Sequence, residues 1–404
     1  MFHLRRVIIS GAWPVVLGCV LAAQAVVEAQ EPVNPNASQK TRAVLKLLYE
    51  LPNRPDRRVM SGQVLRIMTS GPTRSDPTAP VVYNPNPYSH IQDIYNKYGI
   101  WVAIAGAEYT DWWYGTGGVL INNQIQGKIL WRQINPALIQ HSRNGGIAEI
   151  HFHPMSPRNG AGGDADEIGL TADDLLNPGW IHDNWIRYLD EVATGLKQLR
   201  DNDVVVIWRP MHGRDSGKTW WWSEYAMAQA DYNRIWKHMF EHFTYTWGLN
   251  NLLWNQDWYH AGRWSGGDVS HLYVGNDLVD IVSVDSTSVD ITPGEYANLL
   301  AFGKPIGVGQ DGADSSDPTF VDDVGPQINN IRANLPRITY HVQFEKDGWG
   351  GRWDWKWDLG NSNGTGRMLN DSWTLNAPIF GGPPPPPCSS RIPLSHTAWR
   401  FDGR

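Results

Sequence analysis

The sequence predicts an α/β protein folded as a single (β/α)8 TIM barrel. Three observations carry this expectation. Between residues 30 and 380, eight apolar runs rich in Val and Ile alternate with amphipathic stretches. Several of these runs are apolar at successive positions, as strands of a parallel sheet covered on both faces are. None is followed by the glycine-rich phosphate loop that would mark a doubly wound open sheet.

The strand candidates, in order, are RVMSGQV, IWVAIAGAEY, GIAEIHFH, VVVIWRPMH, NLLWNQ, VDIVSVDS, KPIGVG and ITYHVQFE. SQKTRAVLKLLYEL, ahead of the first strand, has helical spacing, as does DNWIRYLDEVATGLKQLRDND before the fourth. YAMAQADYNRIWKHMFEHFTYTWG reads as the helix before the fifth. TPGEYANLLAFG carries explicit start and stop signals: Thr292 as N-cap, Pro293 in the first turn, Glu295 reaching back, and Gly303 ending the helix.

The ends of the chain differ from this pattern. Residues 1–29 read as an export signal: Arg5 and Arg6 lead an apolar run to Ala25, followed by small residues suited to cleavage. The expected location is therefore secreted, extracellular or periplasmic, with no membrane association once the signal is removed. Residues 381–404 open with GGPPPPPCSS, a stiff proline spacer rather than a core element. Without the signal only Cys388 of the two cysteines remains, so no internal disulfide is expected and the barrel, residues 30–380, stands on its core.

Composition narrows the partners. The net charge is −7, and no basic stretch interleaves with the aromatics, which argues against nucleic acid. The 22 tryptophans are the anomaly. DWWYG, TWWW and GWGGRWDWKW sit at glycine-containing, loop-like places, where aromatic rings suit the C–H faces of sugars. A polysaccharide partner, a monomeric state and no cofactor are the expectations.

In a TIM barrel the chemistry lies just past the C-terminal ends of the strands. Strand three ends in HFHP, where Glu149, His151 and His153 share one direction. A His-x-His pair can ligate a metal, but only with partners from other strands. The expectation is no metal, with His153 hydrogen-bonding a sugar hydroxyl. Strand four ends in RPMHGRD, placing Arg209 low in the mouth, His212 at the rim and Asp215 on the loop. Asp215 also fits plain turn chemistry before Ser-Gly. Trp254 and Asp257 follow on strand five, Asp285 on strand six, Gln310 and Asp311 on strand seven, and Trp349 beyond strand eight. Trp113, Trp220 and Trp221 complete the expected aromatic rim.

Taken in order, these stretches resemble glycoside hydrolase family 26, whose characterised members are mostly β-mannanases. VMSGQ is similar to the opening strand of the family. RPMH…TWWWS resembles its R-P-x-H-E…W-F-W-W-G stretch. VDIVSVDS and KPIGVGQDG are similar to the sixth and seventh strands, and LNDSWTL to the closing segment. The resemblance implies a retaining mechanism with two glutamates: an acid/base directly after the fourth-strand histidine and a nucleophile at the end of strand seven. On this sequence those places hold Gly213 and Gln310. Loss of a positioned general acid alone forfeits ~10²–10⁴-fold in rate.

Three readings follow. The barrel hydrolyses O-glycosidic bonds of a β-mannan or related glycan with displaced carboxylates drawn from Asp215, Asp285 and Asp311. Or it binds the glycan without cutting, through His153, Arg209, His212, Asp257, Gln310 and the tryptophans. Or it runs a different chemistry around His151 and His153. Four aspartates near the strand ends favour the first.

Overall fold

The computed structural model describes residues 31–70, 82–110, 120–121, 124–125, 129–158, 169–215, 220–259, 261, 267–312, 323–344 and 358–380. Residues 1–29 and 381–404, read from the sequence as export signal and proline-rich tail, lie outside the described residues.

Eight parallel strands form the barrel: β1 (Val59–Val64), β2 (Ile104–Glu108), β3 (Ile147–Phe152), β4 (Val206–Pro210), β5 (Leu252–Trp258), β6 (Ile281–Thr287), β7 (Ile306–Gly312) and β8 (Ile338–Gln343). Each pairs with its neighbours in chain order, and β8 returns to β1 with Met60 opposite Tyr340, so the cylinder is closed. A short strand, Thr374–Leu375, adds to the start of β1. Every strand named from the sequence is present.

Helices fill the connections: α1 (Gln39–Glu50), α2 (Ser89–Tyr98), α3 (Trp131–Arg143), α4 (Ala172–Leu176), α5 (Trp180–Asp201), α6 (Gln229–Glu241), α7 (Pro293–Ala301), α8 (Gly325–Asn334) and α9 (Thr365–Leu369). The α7 start follows its sequence signal. The Glu295 carboxylate accepts the Thr292 N–H at 2.6 Å, while the Thr292 hydroxyl accepts the Glu295 N–H at 3.3 Å. The helix expected over 225–248 begins only at Gln229 and gives way to a π-helical turn, His242–Thr246.

Strand alternation divides the core into two shells. Met60, Ile104, Ile147, Ile207, Leu253, Ile281 and Val342 fill the barrel interior, and Val44, Leu48 and Leu51 around α1 join the same cluster. Tyr340 crosses this interior over Gly307, where any Cβ would lie 1.9 Å from the tyrosine ring. The opposite faces of the strands pack against the helices. Trp208 stacks 5.3 Å from Phe152, and Trp254 lies 5.2 Å from Phe240 and 5.8 Å from Trp236 of α6.

That parity corrects one sequence expectation. Trp254 and Asp257 are three residues apart on one strand, so they face opposite sides. Asp257 turns into the barrel, and Trp254 therefore belongs to the helix-facing core rather than to the rim. Among the described residues, no helix is long and apolar enough to cross a membrane.

Candidate functional site in the barrel mouth

The upper layer of inward positions is almost wholly polar. β2 ends at Glu108, β3 supplies Glu149 and His151 with His153 just beyond, and β4 supplies Arg209 with His212 past its end. β5 adds Asp257, β6 Asp285 and β7 Gln310. Except for Gln310 all are buried, so each charge requires a partner in the protein.

Arg209 is the hub. Its Nε lies 2.7 Å from Glu149 Oε1, and its Nη1 lies 2.7 Å from Asp285 Oδ1 and 3.4 Å from Asp257 Oδ1. Nη2 donates to Gln310 Oε1 at 3.3 Å. Burial alone would lower the guanidinium's proton affinity; Glu149, Asp285 and Asp257 outweigh it and raise the pKa. The two aspartates are driven apart. Burial would raise Asp285, but Arg209 and then His212 hold its carboxyl down at about 2. Asp257 is raised, by burial and by the charge of Asp285, against the pull of Arg209. Beneath them the Ser283 hydroxyl donates to Asp257 Oδ2 at 2.5 Å, and Asn255 donates to Ser283 at 2.8 Å and to the Tyr340 hydroxyl at 3.0 Å.

His212, Asp257 and Asp285 also present ligand atoms within 4.8 Å of one another, the spacing of a metal site. Arg209 Nη1 lies 3.0 Å from the His212 nitrogen and touches both carboxylates. A fixed guanidinium already supplies the positive charge that these donors require, so the set does not suit an added cation.

A second chain of contacts crosses the mouth. His212 Nδ1 lies 3.1 Å from Asp285 Oδ2, His212 Nε2 meets His153 Nε2, and His153 Nδ1 meets Glu108 Oε2. One proton pattern satisfies these three contacts, at the cost of setting the His212 Nδ1–H against the Arg209 Nη1 donor 3.0 Å away. His153 is neutral and donates from Nδ1 to Glu108. Its bare Nε2 accepts from His212, which is protonated on both nitrogens and donates to Asp285. The electrostatics agree. Burial and the neighbouring His212 depress His153 to about 3. His212 is raised, since Asp285 and Asp257 overcome burial and the repulsion of Arg209. Burial would raise Glu108, but His153, then His151 and Thr110, hold its carboxyl down at about 2. Its Oε1 takes the Thr110 N–H at 2.8 Å and hydroxyl at 2.6 Å.

The structure thus gathers His153, Arg209, His212, Asp257, Asp285 and Gln310 from the sequence-read set. Others lie elsewhere. Asp311 faces outward: its Oδ1 accepts the Val289 N–H at 2.8 Å, and its Oδ2 accepts from Gln327 at 2.9 Å and His341 at 3.0 Å. A register shift between β7 and its neighbours brings Gln310, not Asp311, into the mouth. Asp215 spends Oδ1 on the Tyr259 N–H at 2.6 Å, tying the β4 loop to the end of β5. Trp221 is core, with its edge on Trp185 of α5 at 6.0 Å and its N–H donated to the Pro154 carbonyl at 2.8 Å. Trp220 does reach the histidines, 5.4 Å from His153 and 5.8 Å from His212, but is only 4% exposed. It roofs them instead of offering an open platform. Trp113 and Trp349 lie outside the described residues.

Two members of the network were not selected from the sequence. Glu149 follows from the parity it shares with His151 and His153. Glu108 had a signal too, as the one carboxylate that ends an otherwise apolar strand.

Comparison with known proteins follows the same line. The family model for Glycosyl hydrolase family 26 matches residues 33–378. A mannan endo-1,4-beta-mannosidase of Bacillus subtilis is 27% identical over 356 residues, covering 85% of this chain and 88% of that protein. Mannan endo-1,4-beta-mannosidase A and B of Caldalkalibacillus mannanilyticus is 28% identical, covering 85% of this chain and 62% of that protein. A solved Bacillus subtilis mannanase superposes with a TM-score of 0.67 at 25% identity, covering 86% of this chain and 96% of the other.

Proposed function

Because the chain belongs to glycosyl hydrolase family 26, we propose that it is an exported, monomeric barrel that binds a β-mannan-type glycan at its mouth without cleaving it. The glycan class comes from the relatives, which are named mannan endo-1,4-beta-mannosidases. Export rests on the leader-like residues 1–29.

What supports a non-cleaving barrel is the state of its carboxylates. A retaining site needs two carboxyls ~5 Å apart, one protonated and one ionised, both facing the sugar. The positions that resemble the family's glutamates hold Gly213 and Gln310. Asp215 and Asp311, the displaced substitutes read from the sequence, are bonded to backbone and helix-layer groups. Within the mouth, the observation that carries the reading is that Arg209 and the two histidines engage Glu149, Asp285, Asp257 and Glu108 together. Each carboxylate is occupied by a cation or an imidazole.

One observation favours a second reading. Asp257 is raised while Asp285 is lowered, the split expected of an acid and a base in one pair. Hydrolysis by this pair would put the chemistry beside Arg209, with Asp257 buried and held from below by Ser283.

Electrophoresis in gels cast with galactomannan, run beside a reducing-end assay, separates the two. Retarded migration with no new reducing ends supports binding alone. New ends that disappear in Asp257→Asn favour the second reading. Unretarded migration together with no new ends sinks both.

A further inference from the structure

Gly213 and Trp220 form a fitted pair. Gly213 holds φ +64°, a left-handed backbone that favours glycine. A Cβ placed there would meet Trp220 Cζ3 at 2.7 Å and Cη2 at 3.1 Å, with Tyr259 Cβ at 3.6 Å. The first distance is closer than carbon atoms pack, so either the ring or the turn has to move.

Neither is placed to move cheaply. The Trp220 ring stacks on Trp222 at 5.1 Å and 28° and also packs against His153 and His212. Trp222 is pinned in turn, since its N–H donates to the His212 carbonyl at 3.1 Å. On the other side the Gly213 N–H donates to the Asp257 carbonyl at 3.3 Å, fixing the turn to the end of β5. The indole occupies the volume a side chain at 213 would enter, and it does so directly above the two histidines.

We infer that Trp220 seals the side-chain seat at position 213 and thereby keeps the mouth from holding an acid there. This rests on the reading of position 213 as the family's acid/base place. The missing carboxylate is then built into the packing of the mouth, and putting a glutamate back requires opening the seat as well. Trp220 acts here as a positioning residue: it governs what position 213 can present.

Two measurements on the full chain test it. The first is a thermal-stability cycle over Gly213→Ala, Trp220→Ala and the double variant, which cancels the backbone strain common to both arms. The expected result is that Gly213→Ala lowers the melting midpoint at least twice as much with Trp220 present as with Ala at that position. Equal losses in the two backgrounds overturn the inference. The second compares reducing-end release from mannan by Gly213→Glu/Gln310→Glu with and without Trp220→Ala. The expected gain from opening the seat is about 100-fold, the lower range for a positioned acid. A triple variant no faster than the double overturns it. Release by the wild-type chain would instead remove the non-cleaving reading and leave the stability cycle untouched.

Discussion

Nη1 of Arg209 lies 2.7 Å from Oδ1 of Asp285, and the same nitrogen reaches Asp257 at 3.4 Å while Nε holds Glu149 at 2.7 Å. One guanidinium thus lies against three buried carboxylates and supplies the positive charge they share. Removing one partner of such an arrangement leaves uncompensated charge, which costs about 3–5 kcal/mol. Arg209→Met is expected to lower folding stability by about that amount, read as a shift in the urea midpoint. Arg209→Lys, which keeps the charge but loses the fork, is expected to recover only part of it. A midpoint unchanged in Arg209→Met contradicts this account of the layer.

Asp280 makes stability depend on pH. It is buried and accepts the Val33 N–H and the Trp254 N–H, each at 2.8 Å. Burial raises its carboxyl from 3.8 to about 6, against these bonds and Lys304. The folded state therefore holds this proton more tightly than the unfolded chain does. Its contribution to stability is greatest below about pH 3.8 and is lost as pH rises through about 6. The shift corresponds to about 3 kcal/mol. Denaturant melts from pH 4 to 8 are expected to show this falling slope in the wild type and to lack it in Asp280→Asn. Parallel profiles contradict it.

Asp311→Ala is expected to weaken the fold and leave glycan binding alone. The change strands three donors, the Val289 N–H, Gln327 and His341, in a buried layer. Unsatisfied buried donors cost about 1–3 kcal/mol each before relaxation. Melting midpoint and gel retardation measured on one preparation check both halves. A loss of retardation with an unchanged midpoint would return Asp311 to the site.

Trp254→Ala is expected to behave in the same way, costing about 3–5 kcal/mol for a fully buried indole. Its ring packs on Trp236, Phe240 and Phe243, on the helix side of β5. Binding by the folded fraction stays at the wild-type level, which affinity electrophoresis below the melting midpoint reads directly.

These residues also show how much of the protein was legible from sequence. The strands were, because both faces of each are covered and their apolar runs stand out. Helix α7 was, because Thr292, Pro293 and Glu295 write its start. Helices α2 and α3 were not singled out. α2, SHIQDIYNKY, has few apolar residues, and α3 carries Pro136 within it. The polar floor was half legible. Arg209, His212, His153 and Asp285 stand at strand ends, where a barrel puts its chemistry. Asp311 and Trp254 stand there too, and only parity, altered on β7 by a shift in register, tells inward from outward. The tryptophans misled for a physical reason: the indole is the largest side chain available to fill space between strands and helices. Trp208, Trp221, Trp222, Trp254 and Trp258 are spent that way.

The most direct measurement of the central claim is a long incubation of the purified chain with a defined β-1,4-mannohexaose, followed by chromatography of the sugar and calorimetry of the mixture. The account predicts heat of binding and a hexasaccharide recovered intact. Shorter oligosaccharides accumulating in proportion to protein, and lost in Asp285→Ala, would contradict it.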